Sequence, residues 1–511
     1  MVRRLQSSVV RAAAPAVVAI VTVAAIVGSF DADLQDRMLG SDEADYVRAM
    51  EYGLAANYLG TRERSGFGFA FEVAREYLET GWARPFERDW RVNDAAGLRH
   101  YHSPVAFYPL SAALATGARD ERALRMVPFV TAALAALAAA GLVFCFTGTL
   151  PIPVRLLMSV TAGLLAATSP YHLLASREIG AHAAFALFSC LSLVGMTKTR
   201  QQSGRRWWIL ACAAAALAAL TVPYWALLLP PLAWTWWHQR REHREGASAT
   251  VGFMTVAVGL VLAWPPFILE AGFIKPILMY GGILLRPLQS SGLPGGWLLD
   301  LVRSHPAMAA IGVVGLPVLF TGRGLPRGAS APTIIFAVGF LALNLRVGHM
   351  KSLYVSDVVL PLAALACATA GASLVAVFGR WAPLAATGVL IGSLAAIEAT
   401  PPVIAGGPGW RPAMAALEEQ FAGDRILATP RPAGGVMKYY WRRTGIVLDS
   451  NHASDVPALS RALASGELDA VVRWGDSFEP GGAARGAVVD RPTDGVATVA
   501  GTSVSWWRHH P

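Results

Sequence analysis

Long apolar segments separated by short basic ones dominate the pattern along this chain. Many apolar runs approach about 20 residues, the length that an α-helix needs to cross a bilayer, and they recur from residue 12 to residue 398. We therefore predict a polytopic α-helical membrane protein with about eleven transmembrane helices. The predicted spans are residues 12–30, 125–148, 153–169, 181–197, 207–221, 223–238, 250–268, 306–321, 331–346, 355–377 and 381–398.

Two of these spans, 207–221 and 223–238, are short for complete crossings, and basic residues flank the pair on both sides. Both ends of the pair should then lie on the same side of the membrane. This predicts a tight or re-entrant hairpin that turns at Val222, Pro223 and Tyr224. Irregular backbone at membrane depth normally lines a cavity.

Composition agrees with this pattern and sets the orientation. Hydrophobic residues make up 54% of the chain and charged residues only 15%, against about 25% charged in soluble proteins. In the short loops, fourteen Lys and Arg residues fall on one side and six on the other. The positive-inside rule makes the richer side cytoplasmic, so the net charge of +9 reflects topology and not nucleic-acid binding. We predict a multi-pass inner (plasma) membrane protein with a cytoplasmic N-terminus.

Two polar segments then face outward. Residues 31–124 form a long loop with helical patterns at 44–59 and 69–79, and its stretch 105–115 can lie along the membrane surface. Residues 399–511 alternate helix-like and strand-like runs, which predicts a small extracytoplasmic α/β domain. The predicted domains are therefore 1–398 in the membrane and 399–511 outside it.

The four cysteines all lie inside apolar segments. This position indicates small packing residues and neither a disulfide framework nor a metal site.

A cluster of carboxylates follows the first predicted span. Asp42, Glu43 and Asp45 lie within the six residues that begin at Ser41. Ser41 can cap the following helix, with the carboxylates complementing its dipole. Alternatively, the cluster at the outer surface is placed to meet a hydroxyl acceptor in water and a donor in lipid.

Three further groups of ionisable residues lie on the predicted outer side. Arg99, His100 and His102 precede an apolar helix, where they can bind a phosphate or a metal or anchor the chain at the interface. Arg177 and Glu178 are either a helix-end ion pair or a functional pair, and His182 should share a helix face with Glu178. Lys351 is placed either to hold a lipid phosphate or to snorkel to the interface.

The order of these groups resembles the GT-C membrane glycosyltransferases, in particular the protein O-mannosyltransferases and the aminoarabinose transferases of lipid A. The similar features are an Asp-Glu pair at the start of the first outer loop, a His-x-Pro stretch, a Glu-x-x-x-Arg entry into the second span, an Arg-Glu pair and a Pro-Tyr turn. In this chain they are Asp42–Glu43, His102–Val105 (with Ser103 where the family has Pro), Glu121–Arg125, Ser176–Glu178 and Leu220–Tyr224.

The resemblance implies a GT-C fold and a role for each matching residue. Asp42, next to Glu43, would be the general base that deprotonates the acceptor. Glu178 would orient the acceptor or bind a divalent cation (Mg²⁺ or Mn²⁺), for which His100 and His102 are further candidate ligands. The phosphate of a polyprenyl-phosphate sugar donor would be bound by cations. These are Arg99, His102, Arg177 and Lys351. The acceptor would be a protein, a lipid or a glycan.

Other classes of membrane protein remain as alternatives. A transporter or flippase of lipid-linked saccharides would be expected to carry charged residues deep in its spans, and here the spans are almost free of charge. An O-antigen ligase or polymerase would carry its long outer loop later in the chain. A non-catalytic GT-C relative would keep the fold without depending on Asp42. Nucleotide-binding and serine-hydrolase motifs are absent from the sequence.

Overall fold

The computed structural model describes about half of the chain. The described residues are 91–92, 108–117, 121–177, 179–202, 205–219, 227–243, 302–321, 330–347, 352–397, 410–421, 427–430, 445–448, most of 460–474 and 492–510, and single residues at 24, 221, 252, 325 and 328. Elements are numbered within these residues.

The membrane part is built from helices α1 to α11, and the C-terminal part from α12 and most of a six-stranded sheet. The helices are α1 Tyr108–Ala115, α2 Glu121–Phe146, α3 Ile152–Ala167, α4 Pro170–Arg177, α5 His182–Gln202, α6 Arg205–Ala219, α7 Leu229–His243, α8 Pro306–Thr321, α9 Ala331–Val347, α10 Ser352–Phe378, α11 Ala382–Ile397 and α12 Trp410–Gln420.

Helix α10 is the centre of the helical part. It is apolar on all sides, as expected for a helix surrounded by others, and it packs against α2, α3, α4, α5, α8, α9 and α11. Small residues allow the close approach: a Cβ on Gly371 would meet Met158 of α3, and one on Gly315 of α8 would meet Thr369. The main hydrophobic core is therefore formed around α10.

Helices α3 and α4 are separated by a bend of 59°. Pro170 has no backbone N–H, and its ring disfavours helical geometry at the residue before it, so the helix cannot continue through this point. The sequence predicted one span over 153–169 followed by a loop, and the structure instead places the eight-residue helix α4 there.

Helix α5 begins only at His182, because residues 179–181 form a bend that contains Gly180. The prediction that His182 shares a helix face with position 178 is therefore wrong.

By length and composition, two stretches of the described residues can cross a membrane, Glu121–Phe146 and Asp357–Ala396, and a third can if α3 and α4 count as one span. The second stretch is α10, the 3₁₀ turn Gly379–Trp381 and α11. Leu390 of α11 packs beside Ala140 and Leu164, so α11 returns along the bundle and does not extend α10.

Most predicted spans within the described residues match helices to within a few residues, with the largest difference at α7, which begins at Leu229. Spans 12–30 and 250–268, the helical patterns at 44–59 and 69–79 and the turn at 222–224 lie outside the described residues. The count of eleven stays a prediction. All four cysteines are buried and free, as predicted.

The C-terminal residues form a mixed sheet with the strand order β1-β3-β2-β4-β6-β5. Its strands are β1 Arg91–Val92, β2 Leu427–Pro430, β3 Gly445–Leu448, β4 Ala470–Trp474, β5 Gly495–Val499 and β6 Thr502–Arg508. Strand β2 runs parallel to β3 and β4, whereas β6 pairs antiparallel with β4 and β5. Strand β1 belongs to the long loop and pairs with β3, so the loop and the tail, predicted as separate pieces, share one sheet.

Candidate functional site

Two buried arginines meet at one end of the helical bundle. Arg177 is the last residue of α4 and is 5% exposed, and Arg125, in the second turn of α2, is 1% exposed. Nη1 of Arg125 donates a hydrogen bond of 2.6 Å to the backbone carbonyl of Arg177. The contact caps a carbonyl at the C-terminus of α4, where helix carbonyls lack internal partners, and it joins the second turn of α2 to the end of α4.

Helix α2 supplies Glu121 one turn before Arg125. Both side chains are buried, and their i, i+4 spacing places them on one face of the helix. A carboxylate in the first turn also complements the helix dipole. The Glu-x-x-x-Arg pattern was recognised in the sequence, but no functional role was predicted for Arg125.

His182 and Asp357 form a second polar contact at this end. Nδ1 of His182, the first residue of α5, lies 3.1 Å from Oδ2 of Asp357 on α10. A carboxylate is only an acceptor, so the imidazole donates from Nδ1. Asp357 is fully buried. The sequence analysis missed it, although a single acidic residue in a 27-residue apolar helix is itself a signal of function.

The orientation of α4 is held from two sides. Ser169 Oγ, at the bend, lies 2.7 Å from Nε2 of His305, and the Tyr171 hydroxyl lies 3.3 Å from Ser304 Oγ, so the start of α4 is joined to the start of α8. On the other side, Nε2 of His172 bonds to the backbone carbonyl of Ala132 on α2 at 3.0 Å. These contacts fix the helix that ends in Arg177.

A small, mostly apolar groove lies at the same end. It runs between α1, α2 and the start of α5, and its wall includes Leu110, Val127, Pro128, Thr131, Ile179 and Ala183. Ile179 follows Arg177 by two positions, so one wall of the groove is close in the chain to the buried arginine. The arrangement combines an apolar surface with a positive charge, which suits an amphiphilic anion.

Of the predicted site residues, Arg177 is within the described residues. Asp42, Glu43, Arg99, His100, His102, Glu178 and Lys351 lie outside them. Within the described ranges, no group of three His, Cys, Asp or Glu side chains is arranged to hold a metal ion.

No protein-family model and no curated protein sequence matches the chain. Solved structures, however, do match the chain. The chain is similar to the ArnT aminoarabinose transferase of Cupriavidus metallidurans bound to undecaprenyl phosphate, with a TM-score of 0.51, 14% identity and 96% of each chain covered. The protein has a GT-C fold.

An Archaeoglobus fulgidus oligosaccharyltransferase extends this similarity. Its structure with a tethered acceptor peptide gives a TM-score of 0.53 at 13% identity, over 90% of this chain and 68% of the other. Its complex with Zn and sulfate gives 0.50 at 13% identity, over 90% of this chain and 67% of the other. The fold predicted from the order of motifs is thereby confirmed.

Proposed function

We propose that the protein is a glycosyltransferase that moves a sugar from a polyprenyl-phosphate carrier to an acceptor on the extracytoplasmic face of the membrane. The observation that carries this proposal is the similarity of fold along 96% of both chains to a transferase bound to undecaprenyl phosphate. A fold of this kind can host more than one activity, so the chemistry of the site has to support the choice.

The end of the bundle that contains Arg125 and Arg177 offers that support. A polyprenyl-phosphate donor has an apolar tail and a phosphate that gains negative charge as it leaves. The small groove beside Ile179 offers an apolar contact at this end of the bundle. A cation held in place near the phosphate stabilises the charge that develops in the transition state, and Arg177 ends a helix that is held by contacts to α2 and to His305 before α8.

The charges at the opposite end support the orientation. Arg155, Lys198, Arg205, Arg240 and Arg380 lie at the other ends of the same helices. The positive-inside rule places that end in the cytoplasm, so the Arg177 end faces outward. Polyprenyl-linked sugars on that face would meet acceptors in the extracytoplasmic space.

The proposed reaction is a displacement at the anomeric carbon of the donor. Asp42, beside Glu43, accepts the proton of the acceptor hydroxyl or amine as its oxygen or nitrogen bonds to that carbon. The bond between the anomeric carbon and the phosphate oxygen breaks, and the electron pair leaves with the polyprenyl phosphate. Attack from the opposite face inverts the anomeric centre. Arg99, His102, Arg177 and Lys351 are the proposed cations for the leaving phosphate, and Glu178 orients the acceptor.

A divalent cation, Mg²⁺ or Mn²⁺, is proposed as a cofactor, with His100, His102 and Glu178 as its candidate ligands. A carboxylate ligand such as Glu178 suits either metal. The metal would supply further positive charge near the phosphate. The proton transfer and the displacement themselves are carried out with the protein's own side chains.

The test is sugar transfer in liposomes. Purified protein is incubated with a panel of radiolabelled polyprenyl-phosphate sugars and a membrane extract as the source of acceptor. We expect one donor to be consumed by the wild type, with a loss of about 10²-fold or more in Asp42→Asn, because the general base is removed.

Two matched variants separate catalysis from helix capping. Asp45→Asn removes a carboxylate from the same six residues, and Ser41→Ala removes the alternative cap; both should keep most of the activity. Equal transfer by wild type and Asp42→Asn would contradict the role of Asp42. Movement of a lipid-linked sugar across the bilayer without a new glycosidic bond would favour a flippase instead.

A further inference from the structure

The end of the bundle opposite Arg177 is strongly cationic in the described residues, and Glu242, next to Arg241, is the acidic residue in the sequence of α7. Its cations come from the ends of α3, α5, α6, α7 and α10. They are Arg155, Lys198, Arg200, Arg205, Arg206, Arg240, Arg241 and Arg380. We call these residues the basic end.

Several arginines of the basic end lie over tryptophan rings. On α7, the guanidinium of Arg241 lies 4.3 Å from the ring centre of Trp237, and that of Arg240 lies 5.6 Å from Trp236. At the turn between α10 and α11, Arg380 lies 5.3 Å from the ring of Trp381. Each pair holds a planar cation against an aromatic face, and tryptophan side chains are enriched where lipid meets water.

Not all of these arginines are available to a ligand. Arg155 donates to the carbonyl of Phe144 at 3.1 Å and lies 4.0 Å from the centre of that residue's ring. Arg200 is half-buried and lies 5.4 Å from the ring centre of Trp234, which packs against His238. These two arginines hold α3 and α7 in place. Arg205, Arg206, Arg240 and Arg241 are exposed.

Apolar side chains lie directly beside the exposed cations. Trp237 is 49% exposed, Trp381 is 59% exposed and Leu384 is 68% exposed. A nucleic acid or an acidic protein would complement the charge and leave these apolar surfaces uncovered. An anionic phospholipid complements both, with its phosphate against the guanidinium groups and its acyl chains against the tryptophan and leucine side chains.

We propose that the exposed arginines of α6 and α7, with Trp236 and Trp237, form a binding site for anionic phospholipid headgroups. This inference does not depend on the proposed transfer reaction. The site selects phospholipids by charge, since planar guanidinium groups bind phosphate oxygens in pairs, and it holds these ends of α6 and α7 at one leaflet.

The test measures lipid binding by the full-length protein in detergent. Delipidated protein is titrated with phosphatidylglycerol or phosphatidylcholine, and bound lipid is counted by native mass spectrometry. We expect phosphatidylglycerol to bind as a fixed number of molecules per protein, and phosphatidylcholine not to bind in this way. Two double variants, Arg240→Gln/Arg241→Gln and Arg205→Gln/Arg206→Gln, should each weaken phosphatidylglycerol binding at least tenfold. Each positive charge near an anionic lipid surface contributes about fivefold to the affinity. Raising the salt concentration should weaken phosphatidylglycerol binding to the wild-type protein, and this measurement needs no variant.

Two control variants define the alternatives. Arg122→Gln/Arg461→Gln removes two exposed arginines elsewhere and should bind as the wild type does. Arg240→Lys/Arg241→Lys keeps the positive charge but loses the planar guanidinium contact. Its affinity for phosphatidylglycerol should therefore lie between those of the wild type and the Gln variant. The proposal is overturned if phosphatidylcholine binds equally well, if the Gln variants match the control, or if polyprenyl phosphate is retained at these arginines in preference to phosphatidylglycerol.

Discussion

His182 and Asp357 are 175 positions apart in the chain, yet they form a hydrogen-bonded pair inside the bundle. The contact joins the first residue of α5 to the central helix α10. It lies at the same end as Arg125 and Arg177, so this end combines two buried arginines with a hydrogen-bonded histidine and aspartate. A carboxylate in an apolar interior needs such a partner, because an unpaired charge there is costly.

Removing one member of this pair should destabilise the protein. His182→Ala removes the imidazole donor from the buried Asp357 side chain, and we expect the free energy of unfolding to fall by about 1–3 kcal/mol. The double variant His182→Ala/Asp357→Leu removes both polar groups and should recover part of that loss. Unfolding in detergent micelles, followed by tryptophan fluorescence, of the wild type, His182→Ala, Asp357→Leu and the double variant gives the four values of the cycle.

An exposed pair of the same types is the control. His510 and Asp494 lie 3.0 Å apart near the C-terminus, with the histidine side chain 63% exposed, so His510→Ala should change stability by less than about 1 kcal/mol. Equal losses at the two sites would show that burial does not govern the energy of the pair at His182.

The contact between α5 and α6 should be sensitive to a single methyl group. A Cβ on Gly195 would lie 2.6 Å from the backbone nitrogen of Ala211 and 2.8 Å from the carbonyl oxygen of Trp207. Backbone atoms cannot rotate away, so Gly195→Ala must separate the helices, at a cost of about 1–3 kcal/mol. Thermal unfolding in detergent measures the change.

Gly141 provides the matched substitution, since a Cβ there meets nothing within 4 Å. Gly141→Ala should be neutral or stabilising by up to about 1 kcal/mol, because alanine favours the helix. A loss of stability in Gly141→Ala as large as that in Gly195→Ala would mean that close packing does not explain the requirement at Gly195.

The sequence predicted the helices well where a long apolar run fixes the length, as in α2, α8 and α10. Helix α4 could not be predicted in this way, because its eight residues have no net apolar character and its position depends on Ser169, Tyr171 and His172 binding other helices. The pairing of Asp357 is equally invisible to local patterns. Periodicity within a segment carries no information on which distant helix will lie beside it.

The sheet shows the same limit. In residues 399–511 the sequence predicted helix-like and strand-like runs at 410–421, 425–428, 436–442, 445–448, 456–464 and 470–473. Helix α12 and strands β2, β3 and β4 overlap four of these runs. Strands β5 and β6 were missed, because alternating runs such as Gly495–Val499 leave half of their side chains exposed. Strand β1 has two residues, too few for any pattern, and its pairing with β3 is a purely tertiary contact.

The packing of α12 should control the stability of this sheet. Phe421, which follows α12, is fully buried; its ring meets Trp506 edge to face at 5.8 Å, and the Arg508 guanidinium lies 5.5 Å from it. Phe421→Ala should cost about 3–5 kcal/mol through the cavity it leaves. Limited proteolysis should then cut the C-terminal residues while the helical part stays intact. The control Val496→Ala changes an exposed strand position, and the protease should cleave it no faster than the wild type.

The two buried arginines should differ in what they support. Arg125 donates to a backbone carbonyl, so Arg125→Met leaves a buried acceptor without its partner and should lower the free energy of unfolding by about 1.5–3 kcal/mol. The side chain of Arg177 is instead the proposed cation for the leaving phosphate. Arg177→Gln should lower the rate of sugar transfer by about 10²-fold or more, beyond any change in the amount of folded protein.

Arg177→Lys separates charge from shape in the same assay. A lysine keeps the positive charge but loses the planar donor pair that matches phosphate oxygens, so its transfer rate should lie between those of the wild type and Arg177→Gln. Transfer rates are compared per folded molecule, with folding checked by the unfolding midpoint of each variant. If Arg177→Gln transfers sugar at the wild-type rate while remaining folded, Arg177 belongs to the scaffold of the bundle, and the cation for the phosphate must be sought among Arg99, His102 and Lys351.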